Sequence, residues 1–322
     1  MKIITTISIV VLSGTFALGQ TVAVSGTVNN QKGQPVPYAF VRDAQHNYAT
    51  FADSTGSFVL KADPASALQV SAVNYKETHV RIENKTNVNV VLPADAVTDG
   101  VSSLNSIKQN ANSGFLQARQ QLVAEGVGVQ TVREGFQQEA TRGSRYLYSD
   151  WVPAFGIGKN ETIIFENTNF YNYDKLNGSI IYTNDGKSMA QVSPDQIKSF
   201  SLFDRKGHAH VYENAPAING KPFVEVLVST PKYKIYKKID TKLQRADFHT
   251  DGVLEMGHRY DEYVDVERYY FVGADGKPQA ISLKKSALKK LLGGEADAFI
   301  ASQGSRDVDE DYVRDLGNSL IK

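Results

Sequence analysis

The chain has no cysteine, a single tryptophan and three methionines, and after residue 20 no apolar run approaches the ~18 residues that a spanning helix needs. The missing cysteines exclude disulfide staples, thiol nucleophiles, thiolate-held zinc and lipid attachment at a mature N-terminal Cys. Neither sign of charge is in excess. Thirty-five Lys and Arg offset 35 Asp and Glu, so no global field draws the chain to nucleic acid or to an anionic membrane. No His-Glu-x-x-His or Gly-x-Ser-x-Gly stretch occurs, which removes the sequence signatures of a zincin and of a serine hydrolase. What is present is ordinary globular material: 322 residues, 41% hydrophobic and 22% charged, enough for two domains and unlike a disordered or collagen-like chain.

Residues 1–20 read as a secretory signal peptide. Lys2 supplies the positive end, Ile3 to Leu12 the apolar stretch, and Ala17 and Gly19 the small residues, with cleavage expected before Gln20 or Thr21. The mature protein is therefore expected in the periplasm or at the cell surface, with no transmembrane segment.

Residues 21–95 alternate short strands with turn signals. Thr21 to Val28, Tyr38 to Arg42, Ser57 to Leu60, Leu68 to Val73, His79 to Ile82 and Val88 to Leu92 are β-branched or alternating. Asn29-Asn30, Gly33, Pro35, Pro37, Asp53-Ser54-Thr55-Gly56 and Asp63-Pro64 separate them. This spacing predicts a small antiparallel sandwich. The run Val24-Ser25-Gly26-Thr27-Val28, then Gly33 to Ala39, then Ala49 to Phe58 resembles the carboxypeptidase regulatory-like domain, a transthyretin-like β-sandwich. The resemblance implies that Gly33 turns the first hairpin and that the Asp53 to Gly56 turn leads into a strand near Phe58. Asn74-Tyr75 stands where the family usually carries Gly-Tyr; Asn is the residue that best replaces Gly at positive φ.

Residues 96–142 are rich in Gln, Asn, Ser and Ala, with Leu104, Ile107, Ala111, Ala118 and Leu122 at helical steps, and predict a helical linker, either a spacer between domains or, since its apolar stripe needs a partner surface, a segment packed on the second domain. Residues 143–322 predict an aromatic-rich antiparallel β domain with C-terminal helices. Its strands are expected at Ser179 to Thr183, Ile197 to Phe203, Phe223 to Val228, Tyr233 to Ile239 and Arg268 to Val272. Helices are expected at Leu283 to Leu292, at Glu295 to Ser302, and after a capping box of Asp307 and Glu310. The order of its aromatic features is similar to domains without an agreed activity in exported proteins of Gram-negative envelopes. The fold class is thus mainly β, a sandwich followed by a second antiparallel β domain.

Candidate chemistry is thin. His210-Val211-Tyr212-Glu213 spells His-x-x-Glu, as in a zinc carboxypeptidase, but a third ligand at His249 or His258 is too close in sequence for that family; a strand-end histidine and a surface glutamate explain it better. His208 and His210, two apart, share one face of a strand as metal-ligating pairs do, or face solvent together. Asp261, Asp265 and Glu267 share a strand face, an acid-base arrangement or a half-exposed strand. Lys284, Lys285, Lys289 and Lys290 form a basic helix stripe, solvated or facing an anionic partner. Trp151, Tyr269 and Tyr270 are the candidate ligand-stacking residues. No residue is assigned as catalytic, cofactor-binding or metal-binding, and no cofactor is expected. The expectation is an exported non-enzymatic envelope protein with a binding or assembly role, its partner an envelope protein or an extracellular polymer. The alternatives are an accessory carbohydrate- or peptide-binding protein and, behind it, a metal-dependent hydrolase.

Overall fold

The computed structural model describes residues 21–72, 74–95, 139–165, 168–185, 188–204, 208–218, 222–250 and 253–320. The stretch read as a signal peptide and the greater part of that read as a linker helix lie outside these residues.

The N-terminal unit has seven strands: β1 (Val22–Asn30), β2 (Phe40–Asp43), β3 (Ala49–Phe51), β4 (Ser57–Ala62), β5 (Ala67–Ser71), β6 (Thr78–Arg81) and β7 (Val90–Leu92). They form a three-stranded sheet β4-β1-β7 and a four-stranded sheet β3-β2-β5-β6. All pairs are antiparallel except β1 with β7, whose partners run parallel from Val28–Val90 to Asn30–Leu92. Alternation carries Val24 and Val28 of β1, Phe58 and Leu60 of β4 and Leu68 and Val70 of β5 into one dry core. Burying each such aliphatic chain contributes roughly 1.5–3 kcal/mol.

Turn chemistry fixes the register. Asp53 Oδ1 accepts the N–H groups of Thr55 and Ser57 at 2.8 and 3.0 Å, and Gly56 closes that turn at φ 75°. Gly33 turns the first hairpin at φ 74°, and Asn74 takes φ 67°, the conformation inferred from its substitution for Gly. Fully buried Asp43 accepts the N–H groups of Gln45, His46 and Asp63 and the hydroxyl of Ser66, so its charge is spent on organising three turns.

The second unit contains β8 (Glu139–Arg142), β9 (Ala154–Gly158), β10 (Phe170–Asp174), β11 (Ser179–Thr183), β12 (Ala190–Val192), β13 (Ile197–Phe203), β14 (Ala209–Asn214), β15 (Phe223–Ser229), β16 (Lys234–Gln244), β17 (His249–Thr250), β18 (Glu255–Met256), β19 (Tyr260–Val272) and β20 (Pro278–Ile281). Three helices close it: α1 (Lys285–Leu292), α2 (Asp297–Ser302) and α3 (Glu310–Ser319). The main sheet has eight strands, in the order β20-β19-β16-β15-β14-β13-β9 with β8 beside β19; β10-β11-β12 form a smaller sheet.

Strand β8 departs from the sequence reading, which put residues 139–142 in a helical linker. It pairs parallel with β19, at Tyr260–Glu139 and Glu262–Arg142. On this side of β19, strand β20 covers only Tyr269 to Val272, and the open backbone edge captures a passing segment whatever its local helix propensity.

Rings fill the core between the main sheet and the smaller one. Phe165 stacks on Tyr171 at 4.3 Å between centroids, Phe200 on Tyr212 at 5.0 Å, and Phe223 meets Phe200 edge-on at 5.1 Å. Further along the same sheet the helices cover Leu227, Ile235, Tyr269 and Phe271. Gly317 lets α3 lie close on β15: a Cβ there would stand 2.7 Å from the Val228 methyls. The N-cap of α3 is Asp309, whose Oδ1 accepts the Tyr312 N–H at 2.7 Å, two residues later than the Asp307 start read from sequence. A side-chain cap reaches the N–H three residues on, and only Asp309 stands at that spacing from the buried Tyr312.

The opposite face of the main sheet, with Val211, Val224, Val226, Tyr236 and Tyr270, receives Tyr38 and Phe51 of the sandwich. Backbone groups lock this junction. Ser54 N–H donates to Ser229 O at 2.9 Å while Ser229 N–H donates to Ser54 Oγ at 3.2 Å. Ile163 N–H donates to Asn47 O at 2.9 Å, and Asn47 Nδ2 returns a bond to Ile163 O at 3.0 Å. Phe40 stacks flat on Phe155, centroids 4.3 Å apart. A β-bulge in β15 between Val226 and Val228 leaves Leu227 outside the pairing, and Tyr38 OH donates to its carbonyl at 3.2 Å. To reach it Tyr38 adopts φ 56°, a left-handed conformation that costs an aromatic residue about 1 kcal/mol or more.

Candidate functional site

Where the sandwich, the end of the main sheet and α3 meet lies a cavity of about 660 Å³. The sandwich contributes Tyr38, Phe40 and Tyr75; the sheet contributes Phe155, Phe203 and His210; α3 contributes Arg314 and Asn318. Its size falls within the range of clefts that take small ligands or polymer segments.

The cavity wall is built on a charge cluster. On β14 the period of two puts His210 and Tyr212 on one face, and antiparallel pairing sets Glu225 of β15 opposite Tyr212. Glu225, 4% exposed, accepts from His210 Nδ1 at 2.8 Å and from Arg314 Nη2 at 2.6 Å. Burial alone would raise the Glu225 carboxyl; the His210 hydrogen bond and the two neighbouring cations outweigh it and hold the group below its ordinary range. Burial alone would likewise lower His210, and the bond and charge of Glu225 reverse this, so the imidazole titrates above its usual value. His208 Nδ1 lies 3.2 Å from Asp204 Oδ2, and His210 Nε2 lies 3.7 Å from the same oxygen. Arg314 also approaches Glu310 at 3.9 Å, and Glu310 is held by Lys237 at 2.6 Å and by Tyr269 OH at 3.0 Å.

His208 and His210 therefore do share a side, as their spacing implies, and both point to Asp204. Glu213 does not join them. Three residues along a strand put it on the opposite face from His210, where Lys234 Nζ and Tyr236 OH bind it at 2.8 and 2.9 Å, so the His-x-x-Glu reading assembles no ligand set. Among the described residues no three His, Asp or Glu side chains converge as a metal would require. Asp261, Asp265 and Glu267 are each tied to a neighbouring side chain, Asp261 to Arg245 at 2.7 Å, Asp265 to Lys175 and to Thr241, and Glu267 to Lys237 at 2.7 Å. In the basic stripe Lys289 pairs with Asp297 at 3.0 Å and Lys285 donates to Gly304 O.

The three stacking candidates are placed elsewhere. Trp151 is 1% exposed and packs with Phe170 in the core, so no face of the indole meets a ligand. Tyr269 and Tyr270 are adjacent on β19 and point to opposite faces, Tyr269 under the helices and Tyr270 toward the sandwich, and so form no joint platform. The rings that do reach the cavity, Tyr38, Phe40, Tyr75, Phe155 and Phe203, come from positions with no local sequence signal beyond aromaticity.

Residues 24–101 match the CarboxypepD_reg-like domain family, and the N-terminal β-sandwich is the fold of that domain. Among curated proteins none matches the chain. No described helix is long and apolar enough to cross a membrane.

Proposed function

We propose that the chain is an exported, non-enzymatic binding protein of the cell envelope, whose cleft between the regulatory-like sandwich and the second β domain holds a segment of a ligand such as a peptide. The observation that carries this reading is the cavity of about 660 Å³ walled by both domains and by α3. The two units that wall it are tied at their junction by paired hydrogen bonds at Ser54–Ser229 and Asn47–Ile163, which keep the concavity preformed and lower the ordering cost of binding. The engagement of the wall favours binding over catalysis: His210 and Arg314 are committed to Glu225, and His208 to Asp204. A concave surface with aromatic lining also suits an accessory binder better than an assembly protein that docks through a flat apolar patch.

The test is retention of the purified protein on fractionated envelope material, with Ala72→Trp as a plug of the cleft. Binding that Ala72→Trp abolishes while leaving the melting temperature unchanged supports the proposal. Binding indifferent to the plug, or turnover of hydrolase substrates, overturns it.

A further inference from the structure

Resting on the cleft as the binding site, we infer that it takes an uncharged peptide segment, held by a backbone carbonyl at Arg314 and by an apolar side chain against the ring-lined wall. The charged groups of the cluster are already matched within the protein. Asp204 faces His208 and His210, and Glu310 is held by Lys237 and by Tyr269 OH. His210 Nδ1 and Arg314 Nη2 both bind one oxygen of Glu225. A charged ligand would have to break one of these pairs to find a partner among them.

What the cluster lacks is an acceptor. Arg314 lines the cavity, and its Nη1 is shielded from water with no hydrogen-bond partner. A buried donor left unpaired is costly, the more so on a charged group, and an acceptor arriving in the cavity removes that cost. His210 adds a second donor. Its Nε2 stands 3.7 Å from Asp204, beyond hydrogen-bond length, and the raised titration of the ring favours the protonated form, in which that nitrogen donates. The acceptor that fits is a neutral one: Asp204, Glu310 and Asp311 line the cavity, so a carboxylate or phosphate would add like charge beside them, and a carbonyl oxygen adds none.

Asn74 of the sandwich and Asn318 of α3 also line the cavity, both exposed and with side-chain amides free of partners among the described residues. Each offers the donor and the acceptor that a peptide group matches. The rings favour a peptide over a sugar. Phe40 stacks flat on Phe155, Phe203 meets Phe155 at 88°, and Phe40 and Phe203 are each 4% exposed, so these rings pack on one another and hold no open face for a pyranose. With Val36, Ala72 and Leu227 they form an apolar wall for an aliphatic side chain.

The test is calorimetric titration of the intact protein with the capped tripeptides Ala-Leu-Ala, Ala-Lys-Ala and Ala-Glu-Ala and with an N-acetylglucosamine tetrasaccharide. The expected result is that Ala-Leu-Ala binds at least tenfold more tightly than either charged peptide and is indifferent to added salt. Arg314→Lys, which keeps a cation for Glu225 and removes Nη1, should weaken it severalfold, as should the surface change Asn318→Ala with the melting temperature unchanged. Binding undiminished in both variants, or equal or tighter binding of a charged peptide or of the tetrasaccharide, overturns the inference and leaves the cleft reading standing where Ala72→Trp abolishes that binding. Binding of none of the four probes also overturns it, and the cleft reading is then decided by whether Ala72→Trp abolishes retention on envelope material. Binding of Ala-Leu-Ala that ignores Ala72→Trp overturns both.

Discussion

The sandwich and the second domain are both β, but they bury different things. The sandwich core is aliphatic, Val24, Val28, Val41, Leu60, Leu68 and Ile82 among its members, with Phe58 the one fully enclosed ring. Its buried charge, Asp43, serves the turns beside it. The second domain stacks Phe165, Tyr171, Tyr173, Phe200, Tyr212 and Phe223, and one of its buried charges, Glu225, ties a strand histidine to a helix arginine. The same penalty for burying a carboxylate is met by neighbouring turns at Asp43 and across elements at Glu225. A local solution makes a stable scaffold; a solution across elements places charged groups at a seam, where a cavity can use them.

Four perturbations sharpen that contrast. The largest effect belongs to Glu225→Ala, which strands His210 and Arg314 as partly buried cations and should lower stability by about 3 kcal/mol, read by denaturant unfolding, with loss of cleft binding. Asp43→Ala should cost about 2 kcal/mol, since the buried Ser66 hydroxyl and three partly buried N–H groups lose their acceptor, yet leave the cleft's affinity unchanged. If Asp43→Ala disturbs the cleft as much as Glu225→Ala does, the distinction between local and seam charges is wrong.

Next comes Tyr38→Phe, which leaves the Leu227 carbonyl without its donor and should cost about 1 kcal/mol, with faster amide exchange at Ser229 and Ser54. A change confined to the sandwich interior, with the junction amides unaltered, would contradict the role given to this contact.

The smallest effect is a pH dependence at His210. Its folded-state value lies above the ordinary 6.5, so its protonation stabilises the folded protein. That contribution is complete below 6.5 and is lost as pH rises through the higher folded-state value. The stability gap between wild type and His210→Gln should therefore be widest in mild acid and narrow toward alkaline pH; a gap that widens with pH runs against the Glu225 pairing.

The contrast also decides what could be read from sequence. Strands β11 and β13 fall on the ranges their alternation and turns predict, and the Asp53 to Gly56 and Asn74 turns adopt the expected backbone, because each is set by residues next to one another. The cleft cluster is not of that kind. His210 meets a carboxylate 15 residues away and Glu225 meets a guanidinium 89 residues away, separations that only the sheet order and the docking of α3 bring together. Strand β8 escaped for a similar reason, since its conformation is imposed by the free edge of β19. Trp151 illustrates the opposite error: aromatic residues suit both a core and a stacking platform, and composition does not distinguish them.

The central claim is that ligand contacts fall at the seam between the two domains. Its most direct test is NMR of the intact protein, following the imidazole signals of His208 and His210 and the amide of Asn318 while a solubilised envelope fraction is added. The account predicts saturable shifts at these three positions, with His46 and His79 on the sandwich unmoved. Saturable shifts at His46 or His79 without movement at His208, His210 and Asn318 would place binding away from the seam and contradict it.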